Sequence, residues 1–178
     1  ERDPRLLAPG HEALRSALER HPVPLDQLVR ECFDDAMILA EANDVKVTLA
    51  ACEELVVLGD RDRLRQVLLN LTDNAVKYNR PGGTVTMALR KTGDKAELEI
   101  ANTGAGIPPE LQARVFDRFV RGDGARSKAV DGCGLGLTIC QWIVHEHDGT
   151  IQVQSEPGRT TTLTVRLPLT HQPATPSR

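Results

Sequence analysis

The sequence predicts an α+β domain, a two-layer sandwich of a mostly antiparallel mixed sheet with helices on one face. Two observations carry that prediction. Short runs of alternating apolar residues come in pairs joined by turn residues, the pattern of hairpins rather than of strands alternating one-for-one with helices. Between the pairs lie segments whose apolar residues recur every three to four positions, the period of a helix with one buried face. At 178 residues, the chain is long enough for one domain with a substantial core plus short tails.

The elements follow in order. Residues 1–22 are polar with a modest helical pattern, and Pro22 and Pro24 set them apart. From Leu25, the apolar positions Leu28, Val29, Cys32, Phe33 and Ala36 mark an amphipathic helix. Val45–Leu49 and Leu55–Leu58 alternate as short strands. Asp60 is suited to cap a second helix running to about Tyr78, closed by Pro81-Gly82-Gly83. Thr84–Leu89 and Ala96–Ile100 form a hairpin around Lys91-Thr92-Gly93-Asp94. The pattern then dissolves between Asn102 and Gly134, apart from one short helix near Pro109–Val115, and a loop that long inside a compact domain points to function or disorder. A third helix, about Leu135–His147, stops at Gly149. Ile151–Ser155 and Thr161–Leu167 form the last hairpin across Pro157-Gly158. The domain is therefore expected at 23–169, with 170–178 a disordered tail.

Composition narrows the function. The net charge of −3 argues against a general nucleic-acid binder or a membrane-surface protein. No apolar run approaches the ~20 residues a membrane-spanning helix needs, so direct membrane insertion is not expected. The four cysteines, Cys32, Cys52, Cys133 and Cys140, are scattered without a CxxC, which fits a reduced, cytoplasmic setting. The chain begins at Glu1 and reads as a piece of a longer polypeptide.

Three stretches carry chemistry. On the second helix, Leu64, Val67, Leu68, Leu71 and Ala75 share one stripe, and Asn70, Asp73, Asn74 and Lys77 share the stripe beside it. A solvated face explains such a stripe in general. The asparagines nevertheless suit a second role, because an amide oxygen can give Mg²⁺ its one protein ligand while phosphates and water supply the rest. The clusters Asn102-Thr103-Gly104-Ala105-Gly106-Ile107 and Gly132-Cys133-Gly134-Leu135-Gly136-Leu137 let backbone N–H groups approach a phosphate or base. Neither fits GxxxxGK[ST] or GxGxxG. Between them, Phe116-Asp117-Arg118-Phe119-Val120-Arg121, with Arg126 and Lys128, suits a lid over a triphosphate.

Together these stretches resemble the boxes of sensor histidine kinases: Asn70–Tyr78 the N box, Asn102–Ile107 the G1 box, Phe116–Phe119 the F box and Gly132–Leu137 the G2 box. Four motifs in one order are more specific than any single one, and the resemblance covers about Val23–Pro168. It implies the Bergerat fold of the GHKL superfamily, in agreement with the α+β pattern. It also implies ATP and Mg²⁺ as cofactors. Asn74 would coordinate the metal with Asn70 beside it, and Lys77 would meet phosphate oxygens with Tyr78 packed near the nucleotide. Gly104, Gly106 and Ile107 would pass close to adenine, and Thr161 would offer a hydroxyl there. Gly132, Gly134, Leu135, Gly136 and Leu137 would shape the hinge of the lid, with Phe119 in the lid and Arg121 nearest the γ-phosphate. The catalytic residues implied are thus Asn74, Lys77 and Arg121.

Two positions depart from wider patterns. Sensor kinases usually have aspartate where Asn102 stands; an amide can also donate, so Asn102 is expected to relax the choice between ATP and GTP. ATP-hydrolysing relatives of this fold, such as the Hsp90, MutL and gyrase families, usually have a glutamate base where Asn70 stands, and asparagine is no base. Asn70 therefore favours transfer to histidine over hydrolysis. The acceptor histidine is not expected in this chain: His11 lies in His11-Glu12-Ala13-Leu14-Arg15-Ser16-Ala17-Leu18, which lacks the proline of an HExxxxP box and is too close to the domain. Residues 1–22 read instead as linker and the tail of an upstream dimerisation helix. The partners implied are the histidine-bearing dimerisation domain of the same parent and, through it, a response regulator. The alternative is a degenerate nucleotide-binding or protein-interaction module without kinase activity. His145-Glu146-His147 is expected to end a helix with imidazolium favouring its dipole, and Ile139, Trp142 and Ile143 are expected in the core.

Overall fold

The computed structural model describes residues 18–117 and 136–170. Strand β1 (His21–Pro24) leads into helix α1 (Leu25–Glu41), followed by β2 (Val45–Cys52), β3 (Val56–Gly59) and α2 (Arg61–Lys77). A long hairpin, β4 (Gly83–Thr92) and β5 (Lys95–Thr103), precedes the one-turn helix α3 (Pro109–Gln112). Helix α4 (Gly136–Glu146) then enters the closing hairpin β6 (Thr150–Glu156) and β7 (Thr160–Pro168).

The main sheet has the order β2-β4-β5-β7-β6. Only the β2–β4 pair is parallel, and every other neighbour is antiparallel. Alternation along each strand sends one set of side chains inward: Val85, Met87 and Leu89 of β4, Ala96, Leu98 and Ile100 of β5, and Leu163, Val165 and Leu167 of β7 are all buried. The helices close over this face. α1 contributes Leu25, Leu28, Val29 and Cys32, and α4 contributes Cys140, Ile143 and Val144. The opposite face carries Thr86, Glu99, Thr162 and Thr164, which remain partly open to water. This is the mixed, mostly antiparallel two-layer α+β sandwich that the hairpin pattern predicts.

Several details differ from the sequence reading. β1 is not legible as a strand, yet it pairs antiparallel with β3, His21 opposite Gly59 and Pro24 opposite Val56. Prolines remove two of its four donors, which confines it to a two-stranded edge, and Val23 is its buried anchor. Arg20, just ahead of it, reaches Asp148 Oδ2 at 2.8 Å and the Glu146 carbonyl, tying this segment to the end of α4. Ile139 is 36% exposed and so lies outside the core, while Ile143 is fully buried and Trp142 packs at its margin.

His147 is the larger correction. It is buried, its Nδ1 lies 2.7 Å from the Ile143 carbonyl oxygen, and its Nε2 accepts the Asp60 N–H at 2.9 Å. One nitrogen donates and the other accepts, which requires the neutral ring. The residue therefore staples the end of α4 to the start of α2 and is not an imidazolium at a helix dipole. With both ring nitrogens committed, it has no lone pair for a metal. Gly59 makes room for the ring, since a Cβ there would lie 2.7 Å from His147 Cδ2.

Candidate functional site

Helix α2 sets the site's orientation. Asp60 caps it by accepting from the N–H groups of Asp62 and Arg63, each at 3.1 Å. The buried stripe Leu64, Val67, Leu68, Leu71 and Ala75 fixes its roll against the sheet. The neighbouring stripe then has one place to go: Asn70, Asp73 and Asn74 are half-buried and Lys77 is exposed. Lys77 Nζ sits 3.3 Å from Asp73 Oδ2, an exposed pair of one helical turn. Such pairs are worth little, about 0.3–0.5 kcal/mol, so a phosphate would redirect the lysine at small cost.

Asn70 and Asn74 differ in their surroundings. Among the described residues, the Asn74 side chain makes no hydrogen bond. Asn70 leans on α4, where its amide favours the thiolate form of Cys140; burial outweighs this and pushes that thiol up to about 12. The first turn of α4 meets Asn70 at Gly136, where a Cβ would lie 4.0 Å from the Asn70 Cγ. Asn70 also borders an open depression of about 360 Å³ with Asp62, Arg65, Gln66 and Leu69. Leu137, by contrast, packs against the core, and the Thr138 hydroxyl donates to the Phe116 carbonyl at 2.8 Å.

The end of β5 forms the other wall. Gly104 has φ +150°, and a Cβ there would come within 2.7 Å of the carbonyl oxygen of Tyr78, the residue that ends α2. Gly106 has φ +74°, and its Cβ would meet the Glu156 carbonyl oxygen and Pro157 Cα at 2.8 Å. Both glycines are therefore required by close backbone approaches. Their effect is to press this loop between the end of α2 and the β6–β7 turn.

A polar network holds that wall. The Ile107 N–H donates to Ser155 Oγ at 2.8 Å, and Ser155 Oγ lies 2.7 Å from Thr161 Oγ1. Gln112 Nε2 donates to the Ile107 and Ser155 carbonyls at 2.9 and 2.8 Å. Asn79 Oδ1 accepts from the Thr103 hydroxyl at 2.8 Å, and the same hydroxyl accepts the Thr84 N–H at 2.8 Å. Asn102 stands directly opposite Thr161 in the β5–β7 register. Ser155, Gln112 and Asn79 were not singled out from the sequence. The one available signal was the β6–β7 turn, which places Ser155 opposite Thr161.

Of the residues predicted from sequence, Asn70, Asn74, Lys77 and Tyr78 border this region from α2, and Asn102, Gly104, Gly106, Ile107 and Thr161 from the sheet. Gly136 borders it from α4. Tyr78 is 48% exposed. Phe119, Arg121, Gly132, Gly134 and Leu135 lie outside the described residues. Among the described residues, no three His, Cys, Asp or Glu side chains cluster as metal ligands, and no helix is long and apolar enough to cross a membrane.

Comparison with known proteins adds an independent finding. The family model for histidine kinase-, DNA gyrase B-, and HSP90-like ATPases matches residues 59–171. The sensor-like histidine kinase SenX3 of Mycobacterium tuberculosis is 42% identical over 146 residues, covering 82% of this chain. The chain spans 36% of that relative's length. Among solved structures, the mycobacterial sensor histidine kinase MprB is 32% identical with a TM-score of 0.75, over 84% of this chain and 98% of that one. Full-length ShkA in complex with AMPPNP is 29% identical with a TM-score of 0.76, over 90% of this chain and 33% of that one.

Proposed function

We propose, since this chain belongs to the histidine kinase-, DNA gyrase B- and HSP90-like ATPase family, that it binds MgATP and passes the γ-phosphoryl group to a histidine on a separate dimerisation domain. The observation that carries this reading is that two other elements meet α2 along the stretch from Asn70 to Tyr78. α2 brings Lys77 and the Asn74 amide, which makes no hydrogen bond among the described residues, β5 brings a glycine loop pressed against the end of α2, and α4 begins against Asn70.

The donor set fits magnesium. One amide oxygen is a hard ligand, and Mg²⁺ completes its octahedron with phosphate oxygens and water rather than with a protein cage. Asn74 would hold the metal, which would supply positive charge against the charge developing on the phosphates during transfer. Lys77 would add a cation at the phosphate end, with Asn70 beside it, and Arg121 would join from the loop by analogy with the kinases it resembles. The base would lie along Asn102, Gly104, Gly106, Ile107 and Thr161, beyond the end of α2 that Gly104 meets at Tyr78. Phe119, Gly132, Gly134 and Leu135 would belong to the lid and its hinge.

The chemistry asked of these residues is positioning and charge stabilisation, not covalent catalysis. A neutral imidazole nitrogen on the partner domain attacks the γ-phosphorus in line. The bond from phosphorus to the β–γ bridging oxygen breaks, and ADP leaves with the electron pair. Asn70 is no base and cannot itself deprotonate water. The acceptor domain would in turn hand the phosphoryl group to a response regulator.

The test is transfer in trans. The chain is incubated with MgATP labelled at the γ-position and with the dimerisation domain of its parent protein. Acid-labile label on that domain, lost with Asn74→Ala and Lys77→Met, supports the proposal. ATP binding without transfer would favour a nucleotide-binding interaction module, and rapid turnover without an acceptor would favour a clamp-type ATPase.

A further inference from the structure

Helices α2 and α4 run antiparallel, and three contacts record their register. Asp60, the N-cap of α2, gives its N–H to His147 Nε2 at 2.9 Å. Seven residues further along α2, the Val67 carbonyl accepts from Cys140 Sγ at 3.8 Å, and Cys140 stands seven residues before His147. At the far end Gly136 lies against Asn70, with 4.0 Å between a Cβ built there and the Asn70 Cγ. One register therefore runs from His147 to the first turn of α4, eleven residues or about 16 Å away.

Of the three contacts, the one at His147 holds most firmly. Both helices also send apolar side chains into the core, among them Val67, Leu71, Ile143 and Val144. Apolar burial is non-directional, so it resists separation of the helices better than sliding of one along the other. A thiol is a weak donor, and Gly136 offers only van der Waals contact. The bond from the Asp60 N–H has a narrow geometry by comparison, and the ring that receives it is seated. Nδ1 lies 2.7 Å from the Ile143 carbonyl oxygen, which ties the ring to α4. Gly59 leaves the space the ring fills, since a Cβ there would come within 2.7 Å of Cδ2 and 3.0 Å of Nε2. Arg20 reaches the Glu146 carbonyl and the Asp148 carboxylate, on either side of His147, so the turn that carries the ring is itself held.

We infer that His147 is a positioning residue for the phosphate end of the nucleotide site, acting on Asn70 through the register of α4. This inference rests on the nucleotide-binding reading above and adds a remote residue to that site. Asn70 stands one turn before Asn74 on the same stripe of α2. A slip of α4 by one turn, about 5.4 Å, would carry Gly136 away from Asn70. The wall assigned to the base is held differently. Ser155 bonds the Ile107 N–H and Thr161, and Gln112 bonds the Ile107 and Ser155 carbonyls, contacts in which neither α4 nor His147 takes part. Loss of the His147 bond therefore separates phosphate binding from base binding.

NMR titrations of MgATP and of adenosine into the 178-residue chain test this, at low temperature where the amide spectra show each variant folded. His147→Leu removes the acceptor, and Gly59→Ala sets a methyl against the ring. Each should weaken MgATP by about tenfold or more, the loss of one contact to a charged group, and adenosine by less than about threefold. His147→Gln, whose amide oxygen can accept the Asp60 N–H, should stay within about threefold of the wild type for both ligands. Unchanged MgATP affinity in His147→Leu, equal losses for the two ligands, or a glutamine as damaging as leucine would each overturn the inference. Should His147→Leu fail to fold, Gly59→Ala decides, because the imidazole and both of its partners remain in that chain. Failure of both ligands to bind the wild type would overturn the nucleotide reading itself, a distinct result.

Discussion

Gly106 and Gly158 offer a matched pair for testing how the glycine loop is built. Their φ angles are +74° and +76°, so alanine meets the same backbone penalty at both. That penalty is about 1–2 kcal/mol, offset by about 0.4–1 kcal/mol from the stiffer unfolded chain. The surroundings differ. A Cβ on Gly158 meets nothing within 4 Å, whereas one on Gly106 meets the Glu156 carbonyl and Pro157 Cα at 2.8 Å. Both neighbours are backbone, so the loop must move, and overpacking of this kind adds about 1–3 kcal/mol. Gly158→Ala should therefore cost about 1 kcal/mol and Gly106→Ala about 2–4 kcal/mol. At about 2–4 °C per kcal/mol for a chain of this size, calorimetric melting should fall by about 2–4 °C and about 4–16 °C respectively. Because Ile107 hangs from Ser155 next to that contact, Gly106→Ala should also weaken MgATP binding by about tenfold or more. Equal melting temperatures for the two variants would refute the claim that the loop is pressed against the β6–β7 turn.

Two further outcomes follow from buried groups. His147→Leu leaves the Asp60 N–H and the Ile143 carbonyl without their side-chain partner, a loss of about 2–5 kcal/mol that urea denaturation would register; a change under about 0.5 kcal/mol would sink the staple. Burial raises the thiols of Cys32 and Cys140 from 9.0 to about 11 and about 12. A raised folded-state pKa gives stability that is complete below pH 9 and lost as pH rises towards those values. The urea midpoint should accordingly fall above pH 9 more steeply in the wild type than in Cys140→Ala, and parallel profiles would contradict the assignment.

Local pattern made α2 and the hairpins legible. Asp60 caps because its side chain reaches N–H groups two and three residues on, and the stripe from Leu64 to Ala75 is buried because it gathers most of the helix's apolar residues. The four boxes were readable for the same reason, each being a short contiguous run. What was not legible depends on distant partners. His147 looks like any helix-terminal histidine until Asp60, 87 positions away, is brought beside it. Ile139 shares a helical spacing with Ile143, but the buried stripe centres on Cys140, Val144 and His147, about 100° from Ile139. β1 carries two prolines in four residues and forms only because β3 lies open beside it. Ser155 and Gln112 support the glycine loop through tertiary register rather than through any motif.

The central claim is that Asn74 completes a magnesium–nucleotide site on α2. Calorimetric titration of ATP into the chain, with and without Mg²⁺, in the wild type and in Asn74→Ala, tests it most directly. The account predicts that Mg²⁺ tightens ATP binding by about tenfold or more in the wild type and has little effect in the variant. Binding insensitive to Mg²⁺, or equally strengthened by it in both proteins, would contradict the account.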